Sequence, residues 1–251
     1  MDALLATVLT AAGGLERWSA VKTLTVRLSL GGPFWGAKGW PDLLSDETLE
    51  LDARREHLVY MPFTAPDRRS VFDVDPERIT IQTTGGHLVE QRADPRASFA
   101  GYDVSTRWDA VQVAYFSSYA LWNYLTTPFL FSYPDVQAHE IEPWQEEGQT
   151  WRRLHVTFPP TIATHNPQQT FYYDADGMQR RMDYIVQVNG NAMIAHYTGD
   201  PQTFGGLVFP TRRLVYRRYP DGTADRSRAA ITIDIHDITI NSNGIKESKH
   251  E

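Results

Sequence analysis

The 251-residue chain has no cysteine, which excludes disulfides, thiolate metal sites, cysteine nucleophiles and a lipidated N-terminal cysteine together. Lysine is scarce as well: of 24 basic residues only 4 are Lys, and 31 acidic residues leave a formal net charge of −7. That balance opposes nucleic-acid binding, which asks for a basic face. No apolar run reaches the ~20 residues of a membrane span, so no stable membrane insertion is expected. HExxH, GxSxG and P-loop patterns are missing, as is a GxGxxG in the right context, so the sequence offers no cofactor site. The spacing of a two-ligand metal clip occurs once, as Asp234 and His236 on one strand face, but without a third ligand nearby no metal site is expected. The N-terminus lacks the positive start of a signal peptide, carrying Asp2 instead. A helical stripe of Leu5, Val8, Ala12, Leu15 and Trp18 runs through any cleavage point. The expectation is a retained amphipathic helix and a cytoplasmic protein, or a periplasmic or secreted one if the N-terminus is processed.

What is present is a sizeable apolar fraction, 41%, and one stretch around which the rest is arranged, WDAVQVAYFSSYALWNYLTTPFLF from Trp108 to Phe131. Thr106 and Asp109 suggest a capping box at its start, and Pro128 stops the helix. Trp108, Val111, Tyr115, Tyr119 and Trp122 follow helical spacing, and the opposite side is almost as apolar. A helix apolar all round must be covered all round. One side is expected to lie on a sheet, and the other to meet further protein or a lipophilic ligand.

The remainder reads as an antiparallel meander. Leu24, Val26, Leu28 and Leu30 alternate with polar residues, and strands follow at Leu49–Ala53, His57–Phe63, Val71–Val74, Ile79–Thr83 and His87–Arg92. Gly31 to Gly39, with Trp35, reads as an ordered loop leading to Trp40. Beyond Pro134, Val136–Trp144 and Trp151–Pro159 form a hairpin; a turn at Glu147-Gly148 pairs Trp144 with Trp151, Glu142 with Arg153 and Glu140 with His155. A two-residue turn at Asn189-Gly190 pairs Met182 with Tyr197, Tyr184 with Ala195 and Val186 with Met193, and sets Asp183 opposite His196. Phe209–Arg218 and Ala229–Ile240 add two long strands. About ten strands with two helices, and no βαβ alternation, make a mainly β, α+β protein. One strongly curved antiparallel sheet wraps the central apolar helix. Residues 1–240 read as one domain and 241–251 as a polar tail.

The segment GGLERWSAVKTLTVRLSLGG, the helix-filled meander, FYYDADGMQRRMDY and PTRRLVYRR together resemble the lipoprotein-localisation-factor (LolA/LolB-like) superfamily and its uncharacterised bacterial relatives. The resemblance implies an unclosed half-barrel with a helical lid and a hydrophobic cavity that binds acyl chains or similar ligands.

By the registers above, the inner wall carries Phe171, Tyr173, Met182, Tyr184, Met193 and Tyr197, with Tyr115, Tyr119 and Trp122 of the helix facing the same volume. Methionines and tyrosines make an adaptable apolar wall with hydroxyl handles, suited either to a ligand pocket or to a plain core. Arg180 falls on that face opposite Tyr173, either gripping a ligand carboxylate or reaching water at the sheet rim. His139, inward beside Ile141 and Leu154, is either a core histidine or a general base; His165 is placed at the cavity rim. Binding or sequestration of a hydrophobic small molecule, with or without an acidic group, or of an acyl chain, is the leading reading. The competing one is a cyclase, isomerase or hydrolase using His139, His165 or Tyr184. No protein partner is indicated.

Overall fold

The computed structural model describes residues 2–242. Helix α1 spans Ala3–Ala11, and its N-cap Asp2 accepts from the Leu4 and Leu5 amides, as a short polar side chain at that position should. Helix α2, Leu15–Ala20, leads directly into strand β1, Val21–Gly31. The Trp35 segment expected as a loop holds a short helix, α3, Pro33–Lys38. Pro33 starts it, where a missing N–H costs nothing, and Gly39 ends it at φ 101°. Strands β2 (Glu47–Asp52), β3 (His57–Met61), β4 (Arg68–Val74), β5 (Glu77–Thr83) and β6 (Leu88–Ala93) then form a simple meander.

Helix α4 spans Ala110–Thr126. Its cap is Asp109 rather than Thr106: Asp109 accepts from the Gln112 amide at 2.8 Å, and Gln112 Oε1 accepts from the Asp109 amide at 3.0 Å. Thr106 is held instead by the Asp103 carboxylate. Every residue from Val111 to Thr126 is buried, as the all-round apolar pattern demanded. The helix packs on β3 to β6. Its own hydroxyls bond back to the helix, Ser117 to Val113 O and Thr126 to Trp122 O, so they can be buried.

The second half of the chain supplies β7 (Gln137–Glu146), β8 (Gln149–Thr157), β9 (Gln168–Tyr173), β10 (Gln179–Val186), β11 (Ala192–Phe204), β12 (Leu207–Arg218), the two-residue β13 (Ala224–Asp225) and β14 (Ile231–Ser242). Strand β1 pairs with both β2 and β14, joining the two meanders into one unclosed fourteen-stranded antiparallel sheet with β6 and β7 at its edges. Strand β14 includes Asn241 and Ser242, and the rest of the expected polar tail lies outside the described residues.

Three pairings differ from the sequence reading by one residue, one of them at a bulge where Tyr173 pairs with Gln179 in place of Arg180. In the β10–β11 hairpin Val186 pairs with Ala192, Asp183 with Ala195 and Met182 with His196. Residues Gln187–Asn189 coil into a 3-10 turn, and Gly190 and Asn191 both take positive φ, 61° and 57°. The connection is thus five residues long, 187 to 191, and the shift turns every β11 side chain over. In the β7–β8 hairpin Trp144 does pair with Trp151, but a bulge follows before Ile141 pairs with Arg153 and His139 with His155. Pro143, which has no N–H for a ladder bond, lies in that bulge.

Candidate functional site

The slipped registers decide which side chains meet. Phe171, Tyr173, Met182 and Tyr184 are buried on the inner side of the sheet in one core with Tyr115, Tyr119 and Trp122 of α4. Met193 and Tyr197, expected beside them, lie on the outer side because β11 is turned over; Tyr197 joins Trp151, Tyr172, Ala195 and Tyr216 in a separate outer cluster. His139 is exposed on edge strand β7, its ring 5.4 Å from His155, since the Pro143 bulge reverses its facing. Arg180 occupies a bulge in the β9–β10 pairing, where it borders the crevice under α1 without being enclosed in the core. Its Nε donates to Asp174 Oδ2 at 2.6 Å and its side chain is 39% exposed, which is the rim placement.

His165 is not at a rim but fully enclosed. Its Nδ1 meets Tyr119 OH at 3.0 Å and its Nε2 meets Tyr124 OH at 2.7 Å. The network continues from Tyr124 OH to Tyr184 OH at 3.0 Å and on to His196 Nδ1 at 3.2 Å. Burial, with the nearby Arg96 charge, pushes the His165 pKa down to about 3, and burial lowers that of His196 well below its ordinary value. Burial also raises the Tyr184 hydroxyl well above its ordinary value. These groups are neutral around pH 7; both His165 nitrogens are engaged, so His165 offers no free lone pair, whereas His196 Nε2 is buried without a partner.

Within the second meander, a charged residue that does lie on the inner face is Arg213 of β12, opposite Thr198. It is 2% exposed, its Nη2 donates to Tyr124 O at 3.1 Å, and its guanidinium lies 5.1 Å from the Tyr124 ring centre. The sequence carried a sign of it: Arg213 shares its alternation with Leu207, Phe209 and Val215, all buried. His196 had no such sign, because its facing depended on the hairpin register.

On the outer side, Arg181 is completely buried among Trp144, Tyr172 and Tyr197. Asp183 takes its Nε and Nη2 at 2.6 and 2.8 Å, Glu146 takes Nη1 at 2.8 Å and Gly222 O takes Nη2 at 2.6 Å. This cage is filled and satisfied by the chain itself, and it secures the 219–229 connection to the sheet.

The packing around α4 is close: Tyr115 and Tyr119 meet edge to face at 5.1 Å, and Trp122 Nε1 donates to Asp52 O at 2.8 Å. The open space borders α1. Asp2 Oδ2 ties its start to the Glu140 amide of β7 at 2.9 Å, and Ala12 O accepts from the Val208 amide of β12 at 3.0 Å. Leu4, Leu5, Val8 and Leu9 are buried beneath it. A crevice of about 30 Å³ runs under α1 between Val8, Ala12, Pro128, Tyr173, Gln179 and Val208. A wider groove of about 540 Å³ flanks its N-terminal end, between Leu5, Phe131, Val136 and His139.

No protein-family model matches the chain, and no curated protein matches it by sequence. Solved structures do match it in fold. A LolA superfamily protein from Nitrosomonas europaea superposes with a TM-score of 0.51 at 9% identity, covering 94% of this chain and 93% of its own. A DUF1329 family protein from Desulfovibrio piger gives 0.52 at 11% identity, covering 98% and 95%. Among the described residues no helix is long and apolar enough to cross a membrane. The half-barrel, its central helix and the helix across its open side make this chain a protein of LolA-like fold.

Proposed function

We propose that the protein binds a hydrophobic small molecule or acyl chain between α1 and the inner face of the sheet, with residues 1–240 acting as one binding unit. The observation that carries this is the placement of α1. It lies over the sheet on apolar side chains, tied at its two ends, with open space on either side. The 30 Å³ crevice holds about two waters. Ligand pockets are roughly 300–1,000 Å³, so α1 must yield for a ligand to pass from the groove at its N-terminal end into the crevice. Lifting it uncovers Leu4, Leu5, Val8 and Leu9 together with the sheet beneath. A lipophilic chain re-covers the same surface, which is what offsets the displacement. The fold shared with the LolA superfamily protein agrees with this reading.

The histidines do not favour the enzyme reading, since His165 is enclosed with both nitrogens engaged and His139 stands on the sheet edge. The cytoplasmic location expected from the N-terminal stripe has no support in the fold.

Titration with the neutral dye N-phenyl-1-naphthylamine tests the proposal. Its fluorescence should rise saturably with the protein. Val208→Trp, a change at a half-buried position on the crevice wall, should abolish that rise while leaving the circular dichroism spectrum intact. An equal rise with the Trp variant, or none with the wild type, contradicts it.

A further inference from the structure

Strands β9 to β12 bring Tyr173, Gln179, Thr198 and Arg213 into one row across the inner face. Tyr173 pairs with Gln179, Thr198 pairs with Arg213, and Thr198 Oγ1 donates to Gln179 O at 2.6 Å, linking the two pairs. Four buried polar atoms of this row have no hydrogen-bond partner: Tyr173 OH, Gln179 Nε2, Arg213 Nε and Arg213 Nη1. All four carry a hydrogen to donate. Among the described residues no carboxylate forms an ion pair with Arg213.

Folded proteins rarely leave one such donor unmet, and here the unmet donors lie together beside a guanidinium. Tyr173 and Gln179 also form part of the wall of the crevice under α1, so the row borders the space assigned to the ligand. Burial lowers the Arg213 pKa to about 10, with the Tyr124, Tyr184 and Tyr173 hydroxyls acting the other way; the guanidinium stays charged at neutral pH. One cation calls for one negative charge. A carboxylate supplies that charge on two oxygens that accept only, with roughly four lone-pair sites for four donors. A phosphate dianion would bring a second charge that no unpaired cation balances, since Arg180, which also lines the crevice, is already paired with Asp174.

We propose that Tyr173, Gln179 and Arg213 form an oxyanion site for the carboxylate of an acidic amphiphile whose chain lies in the crevice under α1. This rests on the binding function proposed above and names the polar end of its ligand. The site is distinct from Arg180, which is already engaged by Asp174 at the rim.

Fluorescence titration with cis-parinaric acid and with its methyl ester, which share a chain and differ in charge, separates the two claims. The wild type should bind the acid more tightly than the ester. Arg213→Met should weaken the acid by about 10- to 100-fold, the loss of a hydrogen bond to a charged group, and leave the ester unchanged. Tyr173→Phe should weaken the acid alone, by about 3- to 10-fold, and carries the test if the Met variant does not fold. Inorganic phosphate should not displace the acid; displacement would make the row a free-anion site and overturn the amphiphile. Acid and ester binding alike in all three proteins overturns the oxyanion site but leaves the hydrophobic binding function standing. Binding of neither removes the function on which the site rests.

Discussion

The rings of His165 and Tyr184 lie face to face, with centroids 4.2 Å apart and planes 7° from parallel, and the Tyr124 hydroxyl bonds to both residues. His165 comes from the connection between β8 and β9, Tyr184 from β10 and Tyr124 from α4. This contact therefore joins the central helix, a loop and the second meander through one neutral polar network, in a place where an apolar core would join them through packing alone. A neutral network is stable only while it stays neutral.

Acid should break it. The His165 pKa is depressed to about 3 in the folded state, while the unfolded chain takes up that proton near 6.5. The stabilisation is complete above pH 6.5 and is lost as pH falls toward the folded value. Unfolding free energy should drop by about 1.4 kcal/mol per pH unit from this group alone between pH 6 and 4. His196, also depressed, steepens the fall. Urea denaturation across that range should give His165→Gln a shallower slope than the wild type. Parallel slopes would count against the assignment.

Glu56 has the opposite sign. Its carboxylate is buried, accepting from the Ala163 amide at 2.8 Å, and burial raises its pKa well above the ordinary value. The unfolded chain releases the proton first, so this group removes stability as pH rises above about 4.5. Glu56→Gln keeps an acceptor for Ala163 and has no proton to lose. It should be more stable than the wild type at pH 8 and show a smaller difference at pH 5. A variant less stable than the wild type at both values contradicts this.

Removing Arg181 should be severe. The substitution Arg181→Met leaves the carboxylates of Asp183 and Glu146 without their shared cation. The expected loss is about 3–5 kcal/mol, as for breaking a buried ion pair from one side. Adding Asp183→Asn should recover part of it. A double-mutant cycle by urea denaturation checks the coupling, and strictly additive losses would contradict a cage held by charge.

Most of the fold was legible because it rests on periodicity. The all-round apolar surface of α4 and the strict alternation at Leu24, Val26, Leu28 and Leu30 each have one physical solution, and the structure adopts it. The misplaced faces of Met193, Tyr197 and His139 trace to two backbone details. Asn189-Gly190 looked like a complete two-residue turn, but Asn191 also takes positive φ and lengthens the connection, so Met193 and Tyr197 exchange faces with Ile194 and His196. Pro143 inserts a bulge that turns His139 outward while leaving the Trp144–Trp151 pair in place. The outer aromatic cluster of Trp151, Tyr172 and Tyr216 could not be read in advance, since alternation marks one apolar face and here both faces of the sheet are covered.

The central claim is that ligand enters by displacing α1, and a chain without cysteine allows it to be tested by a single engineered disulfide. A Cβ built on Gly177 lies 3.0 Å from the Ala11 Cβ, so Ala11→Cys with Gly177→Cys can bridge α1 to the β9–β10 hairpin once the two Cβ atoms part slightly. Gly177 sits at φ 78°, so the variant carries about 1–2 kcal/mol of left-handed strain, and its reduced form is the control. N-phenyl-1-naphthylamine binding should be lost in the oxidised variant and return on adding reductant. Equal affinity in the oxidised and reduced forms would contradict the account, because the ligand would then be bound without α1 moving.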